Sequence, residues 1–407
     1  MEAFSRVRIK TGRLKITAPD GRIHVLNGAA GGPEARIRIA DKRLLQRMLV
    51  MPDLYLGEAY MDGTLTVEEG SLHDVLDFFA CNFMSRLHNS TATALPSSFQ
   101  SNAVGQSKAN VAHHYDLNRK LFELFLDRDL QYSCAYFTSE LESLEDAQAN
   151  KKKRIAAKLL LESNMRVLDI GSGFGGLALD LAQWFDVEVV GLTLSEEQWR
   201  VSQDRARAVG LDKRVAFKLL DYREETGRYD RIVSVGMFEH VGQSHYDEFF
   251  RKIRELMSDD GVCLLHSIGR MAPPGSTSPW LIKYIFPGGY VPSLSEALAA
   301  IERAGLWITD VEILRLHYAE TLRHWHQRFQ ANRDKVRSLY DERFCRMWEF
   351  YLQLCEIGYR RLNWMVFQAQ IAKRLTTVPL TRTYLAGAMP TPTVTPPSAR
   401  VPSWEAF

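Results

Sequence analysis

The chain has 407 residues, 46% of them hydrophobic and 25% charged, with a net charge of +2. This globular balance leaves room for two compact domains or one large one and excludes a general polyanion binder; any membrane or nucleic-acid contact would need a local patch, and no nucleic-acid partner is expected. Five widely spaced cysteines (Cys81, Cys134, Cys263, Cys345 and Cys355) without a C-x-x-C pair argue against a disulfide framework or a structural zinc site, and fit a reducing cytoplasm.

The opening MEAFSRVRIKTGRLKI holds no apolar segment of the secretory kind. No apolar run reaches the ~18 residues of a membrane span. From Arg6 to about Phe83 the signals describe a small α+β unit. RVRIKTGRLKITAPDGRIHVL alternates apolar and polar residues and turns at Asp20-Gly21. ARIRIA reads as a further strand, LLQRMLVM and SLHDVLDFFACNF as helices. Arg6, Arg8, Lys10, Arg13 and Lys15 form a solvated strand face or a contact for anionic lipid. SRLHNSTATALPSSFQSNAVGQSKAN has no period and reads as a linker. The expected division is a unit at 1–87, a linker at 88–108, a main domain at 109–375 and a Pro/Thr-rich tail at 376–407.

In the main domain LQYSCAYF, Leu130 to Phe137, sets a thiol among aromatic rings and suits either a buried strand or a site. Lys151 to Arg154, on a helix begun at Ser143, read as a solvated face. MRVLDIG, GLALDLAQWF, VEVVGLTL, SEEQWRVSQDRARAVG, VAFKLLD, YDRIVSVGMF, YDEFFRKIRELMS and GVCLLHSIG alternate strand and helix. They predict an α/β, Rossmann-like fold with a mostly parallel sheet and helices on both faces. His324 and His326 lie two apart on a helix and point apart, so no metal is expected. The aromatics of the last helices suit a core or a lipid tunnel alike.

RVLDIGSGFGGLALDL is a strand, a glycine turn and a helix. Gly171, Gly173 and Gly175 permit close backbone approach, and the helix N-terminus favours a polar or anionic group. A lone G-x-G-x-G also suits dinucleotide folds. Asp169 directly before the loop, and the lack of an acid at the end of VEVVGLTL, favour a site for S-adenosylmethionine (SAM). Thr193 and Gln198 would hold its ribose or amino-acid end, although Ser195 to Gln198 also read as a capping box. Asp221-Tyr222 falls where the adenine is contacted.

HHYDLNRKLFELFLDRDLQYSCAYF, RVLDIGSGFGGLA, VVGLTLSEEQ, DRIVSVGMFEHVG, LLHSIG and PWLIKYIFPGGYVPS occur in this order. Together they resemble the cyclopropane-fatty-acyl-phospholipid synthases and their mycolic-acid relatives. The resemblance implies methyl transfer from SAM to a cis double bond of a phospholipid acyl chain, followed by deprotonation and ring closure. It implies a bound bicarbonate as base, beside Cys134, Glu239, His266, the backbone of Ile268, and Tyr318. It assigns donor contacts to Tyr132, Ser133, Gly171, Gly173, Thr193 and Gln198, and an acyl pocket to Tyr290, with Phe174 and Phe137. It further implies a homodimer in the cytoplasm, at the inner membrane surface, with the N-terminal unit engaging lipid. Taken singly, Cys134 suits core packing, His266 a strand end and Glu239 a helix start. Here Ser172 and Phe174 stand where many members have Cys and Trp, and Arg119 replaces an acidic residue, which would change the entrance. Loss of the proton elsewhere would leave a methylated chain without a ring.

Overall fold

The computed structural model describes residues 9–84 and 119–386. The linker at 88–108, Arg6, Arg8, the stretch up to Asn118 and the tail from 387 lie outside the described residues.

The first unit contains β1 (Thr11–Thr17), β2 (Ile23–Asn27), β3 (Ala29–Ile39), α1 (Lys42–Val50), α2 (Pro52–Met61), β4 (Leu65–Glu69) and α3 (Leu72–Phe79). Gly21 makes the expected turn, at φ +83, with its N–H donating to Ala18 O at 2.9 Å. The sheet order is β2-β1-β3-β4. Alternation buries Leu14, Ile16, Ile37 and Ile39 and turns Lys15, Arg36 and Arg38 to the other face. There Lys15 pairs with Glu69, Arg36 with Glu68 and Glu69, and Arg38 with Glu68, so these three charges are matched within the sheet. A capping box between Ser71 and Asp74 starts α3.

The second region runs α4 (Arg119–Phe125), α5 (Leu144–Leu159), β5 (Arg166–Ile170), α6 (Gly176–Phe185), β6 (Glu188–Thr193), α7 (Glu196–Ala208), β7 (Val215–Leu219), β8 (Tyr229–Val235), α8 (Tyr246–Leu256) and β9 (Met257–Arg270). It continues with α9 (Pro279–Tyr284), α10 (Leu294–Arg303), β10 (Trp307–Ile313), α11 (His317–Ala331), α12 (Arg333–Leu339), α13 (Glu342–Arg361) and β11 (Trp364–Ala372). The seven strands lie in the order β10-β11-β9-β8-β5-β6-β7, with β11 antiparallel to both neighbours and the other pairings parallel. This is the expected Rossmann-like arrangement. The chain winds outward from β5 to β7, then returns to β8 and β9 on the opposite side. The C-terminal ends of β5 and β8 therefore form a topological switch point, where such sheets bind ligands.

The two regions share one apolar cluster. Leu14, Ile37 and Phe78 belong to it together with Trp280, Trp325 and Trp348. Gly57 allows this contact, since a Cβ there would run into the Trp280 indole and the Phe350 ring. After β11, a turn at Arg382–Leu385 docks on the domain through Arg154 Nη1 donating to Leu385 O and an Arg382–Asp310 ion pair.

One expectation about α5 is overturned. Lys151 and Lys152 are buried, because Leu144, Ala147, Gln148, Lys151, Ile155, Lys158 and Leu159 share the helix's inward face. Lys152 pairs with Asp129 and Asp180, and Arg154 pairs with Glu312 at 2.9 Å. Of the four, only Lys153 is exposed.

Candidate active site

The glycine loop sits at the switch point. Gly171 has φ +84, and a Cβ there would lie 2.8 Å from Met237 Cβ, so only glycine closes this turn. All eight residues expected at the donor line one cavity above the loop. They are Tyr132, Ser133, Asp169, Gly171, Gly173, Thr193, Gln198 and Asp221. Asp169 Oδ2 is buried without a hydrogen-bond partner, and burial pushes this carboxyl up to about 7. Such an orphaned acceptor suits the polar amino-acid end of a donor such as SAM.

The overlap between cap and ligand at Gln198 resolves. Ser195 Oγ accepts from the Gln198 N–H at 3.3 Å, so the N-cap is made. The Ser195 N–H donates to Thr193 Oγ1 rather than to the Gln198 side chain, whose Oε1 accepts from Thr193 at 2.8 Å. Half of the capping box is thus absent, and the Gln198 side chain stays at the cavity. Asp221 also lines the cavity, with both oxygens accepting from Arg223. The anion at the N-terminus of α6 is the protein's own. Asp129 packs so closely on Gly176 that a Cβ would overlap its carboxylate, and it pairs with Lys152 and Arg205.

LQYSCAYF is not a strand but an irregular segment pinned by side chains. Asp127 accepts from the Asp129 and Gln131 N–H groups, Gln148 Nε2 donates to Ser133 O at 2.9 Å, and Thr321 Oγ1 accepts from Ala135 N. This fixes Tyr132, Ser133 and Cys134 between two cavities. The second cavity is lined by Cys134, Glu239, His266, Ile268, Tyr318 and Tyr290, the five residues expected around an anion and one of the expected pocket residues. Aromatic rings dominate the rest of its wall, with Phe286, Tyr351, Tyr359 and Trp364. The two cavities share Tyr132, Ser133, Gly236 and His240, so they meet.

Glu239 lies in a single 3-10 turn, Phe238–His240. Its Oε1 accepts from the Ile268 N–H at 2.6 Å, while Oε2 is buried without a partner. Burial pushes the carboxyl up to about 7. His266 sits on β9 between β8 and β11. The Gln368 side-chain amide lies 3.1 Å from its Nδ1 and holds the ring in place. Burial, then the nearby Lys151 and Lys158 charges, push His266 down to about 3, so the imidazole is neutral. Burial raises Cys134 far above the usual thiol range, and its Sγ donates to Ala135 O at 3.3 Å. It is therefore held as a thiol rather than a thiolate. Tyr318 is buried against Trp325 and Tyr359, and burial raises its phenol well above its usual value. A neutral imidazole N–H, a phenol and a carboxyl that can carry a proton together fit a small anion such as bicarbonate.

Two expected pocket residues lie elsewhere. Phe174 lines the donor cavity, because the glycine loop turns its ring onto Phe122 at 5.9 Å. Phe137 lines neither cavity. Its N–H donates to His317 Nδ1 and its ring stacks on His324 at 5.6 Å. His326 accordingly contacts Gln330 and Gln353 rather than His324. Lys151, His240, Tyr351 and Tyr359 line the cavities and were not expected there from sequence. The inward face of α5 would have flagged Lys151, and the spacing of Trp348, Tyr351, Cys355 and Tyr359 along one side of α13 would have flagged the tyrosines.

A switch-point glycine loop on this sheet, with β11 antiparallel, defines a SAM-dependent methyltransferase, and the protein is an enzyme of that class. Residues 103–369 match the mycolic acid cyclopropane synthetase family, and residues 4–91 match a domain family of unknown function. The chain belongs to the mycolic acid cyclopropane synthetase family. It is 38% identical over 360 residues to the cyclopropane-fatty-acyl-phospholipid synthase of Escherichia coli, spanning 86% of this chain and 90% of the relative. It is 37% identical over 327 residues to a tuberculostearic acid methyltransferase of Mycobacterium tuberculosis, spanning 75% of each. A solved mycolic acid cyclopropane synthase complexed with SAH and CTAB superposes with a TM-score of 0.61 at 34% identity, covering 65% of this chain and 98% of that one.

Proposed function

We propose that this enzyme transfers the methyl group of SAM to the cis double bond of an unsaturated acyl chain in a membrane phospholipid and closes a cyclopropane ring. The adjoining pair of cavities carries this reading: one over the glycine loop shares Tyr132, Ser133, Gly236 and His240 with a second, aromatic-lined one holding Glu239 and His266. The E. coli relative, matched over most of its length, supports the substrate class.

The bound donor supplies an electrophilic methyl on a sulfonium. Tyr132, Ser133, Thr193 and Gln198 fix its orientation, so that the alkene, a poor nucleophile, meets it in line. The new C–C bond leaves positive charge on the acyl chain. Tyr132, Tyr318, Tyr351 and Tyr359 line the cavity, and their rings would stabilise this charge in place of water that would trap it. A proton leaves the transferred methyl and the freed electron pair closes the ring. Bicarbonate held by Glu239, His266 and Tyr318 would supply the base. Glu239 steadies it as a hydrogen-bond donor when protonated, or as the acceptor of its O–H when ionised. Cys134 shapes the pocket.

The methyltransferase relative favours a second reading, in which the proton leaves another carbon and no ring forms. In both readings the enzyme acts as a cytoplasmic homodimer at the inner membrane surface. No helix among the described residues is long and apolar enough to cross a membrane. The test is expression in a host without such enzymes, followed by lipid mass spectrometry and proton NMR. Acyl chains one CH₂ heavier with upfield ring protons are expected. An unchanged lipid profile beside folded protein would refute both readings.

A further inference from the structure

Lys151 is a buried cation that the reaction outlined above does not use. It projects from α5 into the donor cavity and is fully enclosed. Its ammonium donates to Gln131 Oε1 at 2.7 Å and to Ser133 Oγ at 2.8 Å. Both acceptors are neutral, and an ammonium has three donors. The next residue is a contrast: Lys152 is paired with both Asp129 and Asp180. No carboxylate among the described residues pairs with Lys151. The charged and titratable groups facing it are Lys152 on its own helix, Asp127, Asp129 and Cys134 from the adjoining segment, Asp169 from β5 and His266 from β9. A buried cation without an ion-pair partner is costly, and a ligand that brings a carboxylate relieves the cost.

We propose that Lys151 is a binding residue for the donor, its ammonium receiving the α-carboxylate of the methionine part of SAM beside Ser133. The residue thereby selects a donor that carries a carboxylate. It also draws Ser133 and Gln131, and so the segment that separates the two cavities, into the geometry set by the bound donor. Asp169, which lines the same cavity with one unpartnered oxygen, is the group to take the opposite charge of the same amino-acid group.

The inference rests on the reading of this cavity as the SAM site. The experiment compares SAM with decarboxylated SAM, which keeps the sulfonium, ribose and adenine but lacks the carboxylate. Dissociation constants are measured by calorimetry for the wild type and for K151M, which keeps an unbranched side chain one atom shorter and loses the charge. The wild type is expected to prefer SAM by roughly 10- to 100-fold, the range of a charge-assisted hydrogen bond. K151M is expected to lose most of that preference by weakening SAM alone. If K151M does not fold, K151Q replaces it, because glutamine can still bond Ser133 without a charge. A variant that weakens both compounds equally, or keeps the wild-type preference, overturns the assignment. Equal affinity of the wild type for both compounds also overturns it. Wild-type protein that binds neither sinks the reading of the cavity itself, and the role of Lys151 with it.

Discussion

Replacing Glu239 by Gln separates its two properties, charge and shape. The amide keeps an oxygen for the Ile268 N–H, the 2.6 Å bond that ties the 3-10 turn to β9, so the fold should survive. The folded carboxyl titrates at about 7 against an ordinary 4.5, so folding favours its protonated form. That advantage is complete below the ordinary value and is lost as pH rises through the folded one. Glutamine is neutral throughout. E239Q should therefore match the wild type in stability at about pH 4.5 and exceed it by about 3 kcal/mol at about pH 8, the free energy of that shift. Denaturant unfolding at the two pH values reads the difference. Turnover should fall by roughly 10²- to 10⁴-fold, the scale of a base contribution lost when the anion that Glu239 steadies is no longer held. Affinity for SAM should hold, because Glu239 lines the aromatic cavity and not the donor cavity. A pH-independent stability difference, or a loss of SAM binding as deep as the loss of turnover, would refute the reasoning.

Three further substitutions probe other parts of the account. G171A places a Cβ against Met237 at φ +84 and should weaken SAM binding at least about tenfold, at a backbone cost of about 1–2 kcal/mol; calorimetry reads it. G57A pushes on Trp280 of α9, whose Leu281 lines the aromatic cavity. It should cost about 1–3 kcal/mol and raise KM for unsaturated liposomes while the Kd for SAM stays put. Cys134, buried and held as a thiol, should resist iodoacetamide in the native protein, and C134S should keep most of the turnover; rapid alkylation that abolishes activity would contradict this.

Much of the site was legible because its residues sit on elements with strong local rules. Strand period placed Asp169 and His266 on β5 and β9, the glycines fixed the turn between β5 and α6, and Ser195 announced the start of α7. The ordered motifs then gathered Cys134, Glu239, His266, Ile268 and Tyr318, which the structure brings to one cavity. What failed was contact across elements. Lys151 looked solvated because lysine usually is, yet Gln131 and Ser133 from an irregular segment accept two hydrogen bonds from its buried ammonium. Phe137 follows YSCAY so directly that it was assigned to the pocket, but two histidines of α11 stack against it outside. Whether the aromatics of α13 form core or cavity depends on which side of one helix each ring takes. Trp348, Phe350, Tyr351 and Tyr359 all join one core cluster, and of these only Tyr351 and Tyr359 also line the cavity that holds Glu239.

The central claim, that a proton leaves the transferred methyl inside a dry aromatic cavity, is tested most directly with SAM carrying a trideuterated methyl group. Purified enzyme is incubated with this donor and liposomes of cis-unsaturated phospholipid, and the acyl products are weighed and examined by NMR. The account predicts a cyclopropane ring in which two of the three deuterons remain. Retention of all three on a ringless methyl branch, or no label in the lipid, would contradict it.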